Sequence, residues 1–417
     1  MSRDLASMMA DEPVPHPAIN AAIKATPYQW RDPAGIPVRS WVYGHMLLRG
    51  SLTVVVAPGA TGKTALTIGT AMALATGRNL LGPKVWGGPK RVWLWNLEDA
   101  GEEMARGLQA AAIHWRIEPE DVGNRLYVDS GMDGAELKTA HETKDGTRIN
   151  APVVGALLTQ LREQQIDVLI VDPFVSSHSV NENDNRAIDL VAKQWARLAS
   201  QAGCAVVLVH HARKLAGGEV SAEAARGASA LIAAARSVPT LNRMSDDEAA
   251  KFGIEGEERR RFFRVYDDKN NRAPPSDKSD WYRLHSVSLG NGPDGGDSLP
   301  VVVPWSPPDA FDGVTVGCLR RVQAALADGT YRQDHQSKRW AGEAVADVLG
   351  MNIEKAGDKA RIKTLLSTWI RNGALAVVMK PDERRKEKAF LVVGEWVDQE
   401  FAPPRKGGAE QGGAVPH

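Results

Sequence analysis

The stretch Val54–Thr64 limits what this chain can fold into more than any other feature, because it reads V-V-V-A-P-G-A-T-G-K-T. An apolar strand enters a glycine-bearing loop that ends in Gly-Lys-Thr, and an alanine-rich helical stretch follows. In such a loop, backbone N–H groups point at phosphate oxygens, the lysine adds a positive charge at the β- and γ-phosphates, and the threonine hydroxyl reaches Mg²⁺. The sequence therefore predicts a nucleotide-binding loop. A chance Gly-Lys-Thr would lack both flanking elements.

Eight residues form the predicted loop and its junction with the helix. We expect Gly59 and Gly62 to let the backbone curl. Ala57 takes the place of the first glycine in the pattern G-x-x-x-x-G-K-S/T, and a methyl group is tolerable there if the residue stays in the β region. The predicted nucleotide-binding residues are Pro58, Gly59, Ala60, Thr61, Gly62, Lys63, Thr64 and Ala65.

A second apolar strand, Gln165–Asp172, ends in a carboxylate. If this strand lies parallel to the P-loop strand and beside it, Asp172 reaches the carboxyl edge of the sheet. There it can orient a water on the Mg²⁺ held by Thr64. The alternative is an aspartate that caps a turn before Pro173. Because a P-loop precedes it, we favour the metal role.

A third strand end lies in Arg91–Asp99, which reads R-V-W-L-W-N-L-E-D. Glu98 follows the strand and can orient, or accept a proton from, the water that attacks a γ-phosphate. The alternative is that these acids form the first turn of a helix over 100–112 and complement its dipole. Asp99 suits that structural role better than Glu98.

The stretch Ala205–Lys214, A-V-V-L-V-H-H-A-R-K, is a fourth buried strand with a polar end. A histidine at this edge can sense a γ-phosphate by donating a hydrogen bond to it, and His210 and His211 are both candidates. A histidine pair taken alone is more often scaffolding. Further on, Arg236 ends an apolar run; it either pairs with an acid or, in an oligomeric ATPase, reaches a neighbour's γ-phosphate.

Composition sets the class of protein. With 417 residues and 43% hydrophobic content, the chain can bury a large core and divide into two domains plus tails. Lys+Arg 51 balances Asp+Glu 51, so DNA affinity must come from local basic clusters. Cys204 and Cys318 are too far apart for a metal motif and indicate small buried thiols in a reducing compartment. The sequence shows neither an apolar leader nor a run of membrane-spanning length, so we expect a cytoplasmic protein without a membrane partner.

Alternating strand and helix patterns predict an α/β core with a mostly parallel sheet, and the polar stretch 131–150 predicts an inserted loop or hairpin. Beyond the core, three helical patterns precede two strands that flank the basic run 380–388. This order predicts a winged-helix-like α+β domain, with a charged solvated surface as the alternative. The predicted organisation is an arm over 1–36, the P-loop domain over 37–305, a linker over 306–312, the winged-helix-like domain over 313–400 and a disordered tail over 401–417.

Several segments together resemble the RepA-type hexameric replicative helicases of plasmids and phages, which belong to the RecA-like ATPases. The segments are A-P-G-A-T-G-K-T, N-L-E-D, V-L-I-V-D-P, H-H-A-R-K, R-G-A-S-A-L-I-A-A-A-R and F-F-R-V-Y-D-D-K-N-N-R-A-P, within about Tyr28 to Trp281. The resemblance implies a RecA-like P-loop NTPase core, of the broad AAA family of ATPases, with ATP and Mg²⁺ as cofactors. It also accounts for Ala57, since this family tolerates alanine there.

Carried over by position, the resemblance implies a role for each candidate. Lys63 and Thr64 meet the phosphates and Mg²⁺, Glu98 is the catalytic base, and Asp172 is on the metal. His211, or His210, senses the γ-phosphate. Arg236 is a finger that acts in trans, and Lys269 also approaches a neighbour's nucleotide. The loops 176–185 and 213–225 face DNA, with Arg213, Lys214 and Arg226 as nearly all of their basic content.

The predicted function is therefore an ATP-dependent DNA helicase or translocase in phage or plasmid replication. Expected partners are single-stranded DNA and further copies of the chain in a hexamer, with duplex DNA and a replication initiator as additional candidates. Two alternatives stay open: an ATP-switched DNA-binding initiator or regulator, and an accessory ATPase of recombination or repair. On the winged-helix prediction, Lys359, Arg361, Lys363 and Arg371 enter a groove of duplex DNA while Arg384, Arg385 and Lys386 contact phosphates.

Overall fold

The computed structural model of the protein describes residues 25–212, 221, 229–274, 278–328, 330–382 and 385–397. Two units are distinguished, Met1–Arg39 and Ser40–His417. In the described part of the first unit, one short 3-10 turn covers Pro33–Gly35, and the Asp32 side chain accepts a hydrogen bond from Ala34 N at 3.0 Å. The predicted tail over 401–417 lies outside the described residues.

The second unit contains every α-helix and β-strand that the structure describes. The strands are β1 Trp41–Tyr43, β2 Leu47–Leu48, β3 Leu52–Pro58, β4 Val92–Asn96, β5 Leu126–Ser130, β6 Ala140–Thr143, β7 Gly146–Ile149, β8 Val168–Asp172, β9 Ala205–Ala212, β10 Ser237–Arg243, β11 Phe262–Asn270, β12 Asp280–Ser288, β13 Ser298–Trp305, β14 Tyr331–Arg332, β15 Leu375–Pro381 and β16 Glu387–Val393. The helices are α1 Lys63–Thr76, α2 Gly101–Trp115, α3 Pro119–Val122, α4 Ala151–Glu163, α5 Asn185–Ala202, α6 Ser229–Ala234, α7 Asp246–Phe252, α8 Val316–Asp328, α9 Ala341–Leu349 and α10 Ala356–Arg371.

A nine-stranded sheet in the order β13-β12-β11-β10-β3-β9-β8-β4-β5 forms the core. The six strands from β10 to β5 run parallel, and β11, β12 and β13 extend the sheet antiparallel. The prediction of a mostly parallel sheet is therefore confirmed. One detail was wrong: the strand that ends at Asp172 does not lie beside the P-loop strand, because β9 lies between β3 and β8. Strand order depends on long-range pairing, which a local apolar pattern does not carry.

Helices cover both faces of the parallel strands, which explains their continuous apolar runs. On one face, Val54 and Val56 of β3 pack in the same core as Trp195 of α5. On the other face, Val55 packs with Met72 of α1. Ala57 lies in β3 paired with His211, so the β conformation predicted for this alanine is confirmed.

Helix α1 is enclosed on nearly every side, and ten of its fourteen residues are buried. A Cβ added to Gly69 would lie 3.2 Å from Leu81 Cδ1. A Cβ added to Gly107 of α2 would lie 2.6 Å from Ile68 Cδ1. The helix that follows the P-loop is thus held by the sheet, by α2 and by the 80s loop at once.

The polar insertion contains the antiparallel hairpin β6–β7, as the sequence predicted. This hairpin fixes the loop after β8. Ser179 N donates to Ala140 O at 2.8 Å, and Asn181 N donates to Glu142 Oε1 at 2.8 Å. The predicted DNA-facing loop 176–185 is therefore attached to the hairpin. Of the second predicted loop, 213–225, all but Ser221 lies outside the described residues.

The C-terminal elements follow the order α8, β14, α9, α10, β15, β16, with a sheet in the order β14-β16-β15. Their core contains Val322, Trp340, Ile362 and Trp369. The sequence predicted the three helices and the last two strands but missed β14, which is two residues long. A strand this short carries no readable alternation.

Helix α10 does not stand free at its start. A Cβ added to Gly357 in its first turn would lie 2.5 Å from Gly253 Cα, at the end of α7 in the core. Arg361 Nε donates to Ala310 O at 2.9 Å, and its guanidinium also donates to Asp312 O. Two features predicted for groove binding, the helix start and Arg361, thus make contacts within the chain. Arg384 lies outside the described residues.

Cys204 and Cys318 are both free and buried, as predicted, and burial raises the pKa of the Cys204 thiol. Within the described ranges, no helix combines the length and the apolar character needed to cross a bilayer.

Candidate functional site

The loop between β3 and α1 has left-handed backbone at two positions. Gly62 precedes α1 with φ +94°, and a Cβ there would also lie 2.9 Å from Leu284 Cδ2, so glycine is required on both counts. Ala60 is the second, with φ 56°. The expectation for Gly59 was wrong in part, because its φ is not positive and an added Cβ would meet no atom within 4 Å. The space beside Gly59 is open toward the site.

Lys63 begins α1 and is almost fully buried. Its Nζ donates to Pro58 O at 3.3 Å, and Thr61 Oγ1 donates to the same carbonyl at 2.6 Å. Burial lowers the pKa of Lys63, while the nearby carboxylates of Asp172 and Glu98 act in the opposite direction. The lysine therefore lies in the loop between the two predicted acidic residues.

Asp172 ends β8 and is 4% exposed. Burial raises the pKa of this carboxyl to about 6, opposed by the charge of Lys63 and by a hydrogen bond with the Thr64 side chain. Its Oδ2 is buried without a hydrogen-bond partner among the described residues. A hydroxyl beside a carboxylate with a spare oxygen is a donor set of the kind that Mg²⁺ takes. This arrangement favours the metal prediction over the turn-cap alternative.

Asn96 organises the turn that carries Glu98. It is 2% exposed and pairs across the sheet with Asp172. Its Oδ1 accepts from Glu98 N and Asp99 N, both at 2.8 Å, and its Nδ2 donates to Asp99 Oδ2 at 2.9 Å. Because these bonds fix the backbone, Glu98 projects from the carboxyl edge of the sheet with its side chain exposed.

The helix-capping alternative for Glu98 does not fit the helix that forms. Helix α2 begins at Gly101, its first-turn acids are Glu102 and Glu103, and Gly101 N donates to Asp133 Oδ2 at 2.8 Å. Asp99 is also outside the helix, so the capping role expected for it was wrong.

The two histidines lie at the end of β9 on opposite faces of the sheet, as consecutive strand residues must. His211 pairs with Ala57, and burial together with the charge of Lys63 lowers its pKa. His210 is more deeply placed: burial, then His211 and Lys63, lower its pKa to about 4. Of the two, only His211 has Glu98 among its electrostatic neighbours, which favours His211 as the residue that faces the site.

Arg236 and Lys269 lie away from this group. Arg236 N donates to Leu52 O at 2.8 Å, so the residue is at the start of β3, at the sheet edge opposite the P-loop. Lys269 Nζ donates to Ile232 O at 2.7 Å, and burial and the charge of Arg236 lower its pKa. In the part of the chain that the structure describes, no carboxylate pairs with Arg236. Neither cation reaches the P-loop of its own chain.

Sequence reasoning missed two residues at the site. The side chain of Asn96 had a signal, because an asparagine two residues before a strand-end acid is typical of a side-chain-to-backbone turn. Arg243 had none. It ends β10, and its guanidinium donates to the carbonyl of Ala60 in the P-loop.

Comparison with known proteins follows this geometry. Residues 19–217, just under half of the chain, match the family model described as AAA domain. The core has a P-loop ATPase fold. The matched range includes the loop, Glu98, Asp172 and His211, and it ends before Arg236. A domain of this kind implies a bound nucleotide, usually with Mg²⁺.

Among solved structures, the chain is similar to the ATPase domain of a helicase. That similarity has a TM-score of 0.39 and 14% identity, and it covers 57% of this chain and 82% of the other.

Proposed function

We propose that the protein is an ATP-dependent DNA helicase or translocase of the RepA type, which acts in phage or plasmid replication and hydrolyses ATP between subunits of a ring. The observation that carries the proposal is the separation of two charge groups. Lys63, Asp172, Glu98 and His211 gather at one edge of the sheet, and Arg236 with Lys269 lies at the opposite edge. A site that needs both groups must draw them from two chains.

Each residue of the first group has a task in this proposal. Lys63 leaves Pro58 O and neutralises the β- and γ-phosphates. Thr64 and Asp172 hold Mg²⁺, which supplies further positive charge at the phosphates. Glu98 orients the attacking water and accepts its proton, because Asn96 presents it at the open edge. His211 donates to the γ-phosphate.

ATP hydrolysis measured with and without single-stranded DNA, together with strand displacement on a forked duplex, tests the activity. We expect DNA to stimulate hydrolysis and ATP to be required for displacement. Lys63→Ala is the control and should lose both, since no other group replaces its charge. An ATPase that ignores DNA and never separates strands would contradict the helicase proposal.

Subunit mixing tests the shared site. Arg236→Ala and Lys63→Ala proteins, each inactive alone, should regain hydrolysis when mixed, because some interfaces then join an intact P-loop to an intact finger. The matched control mixes Lys63→Ala with Glu98→Gln. These two residues belong to one chain's half of the site, so that mixture offers no complete site. Equal rescue in both mixtures, or a fully active monomer, would rule out the trans role.

A second candidate is an ATP-switched initiator or regulator, favoured by the C-terminal element order α8-β14-α9-α10-β15-β16. This is the order of a winged helix, and Lys380, Lys386 and Lys388 are exposed around its hairpin. In that role the full-length protein binds duplex DNA with an affinity that falls steeply with salt. Replacing Arg385 and Lys386 by Ala should weaken this binding for every sequence alike. No change in affinity would remove the hairpin from DNA binding.

A further inference from the structure

Arg243 lies where the nucleotide is expected, but on the other side of the P-loop strand from the reacting groups. Strand β10 runs parallel to β3 with Thr240 opposite Val56. Three residues further on, Arg243 is level with the loop and donates to Ala60 O. Asp172 and Glu98 follow β8 and β4, which lie beyond β9 on the other flank of β3. Arg243 therefore borders the loop from the flank opposite the predicted base and metal ligand.

The charge of Arg243 lacks a counter-charge. Its neighbours in the same region are paired: Arg259 with Asp246 at 2.6 Å, and Arg264 with Glu248 at 3.0 Å. For Arg243, no carboxylate lies within ion-pair distance in the described ranges, and its Nε is buried there without a hydrogen-bond partner. A half-buried cation is costly unless an anion or hydrogen-bond acceptor satisfies it.

A guanidinium carries five N–H donors, and the Ala60 carbonyl uses only part of them. Backbone carbonyls cannot neutralise the charge, whereas a phosphate can, with two parallel hydrogen bonds. The loop that Arg243 borders is the one built to bring a phosphate there. The missing counter-charge and the position agree.

We propose that Arg243 binds the nucleotide in cis, at the end away from the γ-phosphoryl group, through its α-phosphate. The proposal rests on the proposed function, since it takes ATP to be the ligand. It gives Arg243 a task in holding the nucleotide that ADP and ATP share, and none in the chemical step. Lys63, by contrast, serves the phosphates that react.

The test is the affinity of the full-length protein for Mg²⁺–ADP and for a non-hydrolysable ATP analogue, measured by calorimetry. Arg243→Ala should weaken both by a similar factor, about 10- to 100-fold, the range for a lost charge-assisted hydrogen bond. In steady-state hydrolysis the KM for ATP should rise by a comparable factor, while kcat at saturation stays within about threefold. Arg259→Ala, which removes an arginine already paired with Asp246, is the matched control and should bind like the wild type.

Arg243→Lys covers the case in which Arg243→Ala does not fold. It keeps the charge but loses the fork of donors, so it should show an intermediate loss of affinity with an unchanged melting temperature. Affinities within twofold of the wild type in the folded variants would overturn the proposal. So would a loss confined to the ATP analogue, or a fall in kcat with KM unchanged. If the wild type itself binds neither nucleotide, it is the proposed function that fails.

Discussion

Asn96→Ala should uncouple turnover from nucleotide binding. The Asn96 side chain makes three hydrogen bonds of 2.8, 2.8 and 2.9 Å in a nearly closed environment. At about 1 kcal/mol per bond, the free energy of unfolding should fall by roughly 3 kcal/mol. A P-loop core of ordinary stability, about 5–15 kcal/mol, remains folded after that loss.

The same change frees the backbone that carries Glu98. A displacement of about 1 Å at a catalytic group costs on the order of 100-fold in rate, so we expect kcat to fall by roughly that factor. The KM for ATP should change little, because the loop and Lys63 are untouched. Steady-state ATPase assays and urea unfolding of the same protein samples measure both effects.

Asp133→Ala is the control. It removes one hydrogen bond, to Gly101 N at the start of α2, without touching the turn. Its stability should fall by about 1 kcal/mol with normal turnover. If Asn96→Ala loses stability as expected but keeps kcat within twofold of the wild type, the turn does not position the base, and the reasoning about Glu98 is refuted.

Three further outcomes are expected. Glu98→Gln should keep ATP binding while turnover slows by orders of magnitude, and normal turnover in this variant would remove Glu98 from the base role. Burial lowers the pKa of His178 to about 4, below its unfolded value of 6.5, so its contribution to stability is complete above pH 6.5 and is lost as the pH falls to 4. His178→Asn should therefore reduce the slope of unfolding free energy against pH in that window by roughly 1 kcal/mol per unit, and an unchanged slope in urea titrations would contradict the shift. Gly357→Leu should separate α10 from Gly253 and, if α10 binds duplex DNA, raise the affinity seen by fluorescence anisotropy; an affinity no higher than that of the wild type would mean that the contact does not limit binding.

The sequence predicted the elements around the site better than their arrangement. The strands that end at Pro58, Asn96 and Asp172 were readable because both of their faces are buried, which makes them continuous apolar runs. That β9 separates two of them was not readable, since the order of strands depends on contacts between distant segments. The same limit hid Arg243, whose place at the loop depends on β10 lying beside β3.

Side-chain roles divided along the same line. The P-loop pattern located Lys63 and Thr64, because the chemistry and the local backbone geometry are encoded together. Gly59 was misjudged, since the left-handed position falls on Ala60 instead. The contact of α10 with the core could not be foreseen, because it depends on two glycines, Gly253 and Gly357, about a hundred positions apart.

The enclosure of α1 has a consequence for how this protein tolerates mutation. A helix on the surface of a domain accepts changes on its outer side, whereas α1 offers almost no outer side. In a saturation mutagenesis experiment its tolerance profile should lack the 3.6-residue rhythm and look uniformly strict, as a central strand does. Variation that adjusts nucleotide affinity must then arise elsewhere, in the rim of the loop and in the neighbouring strand ends.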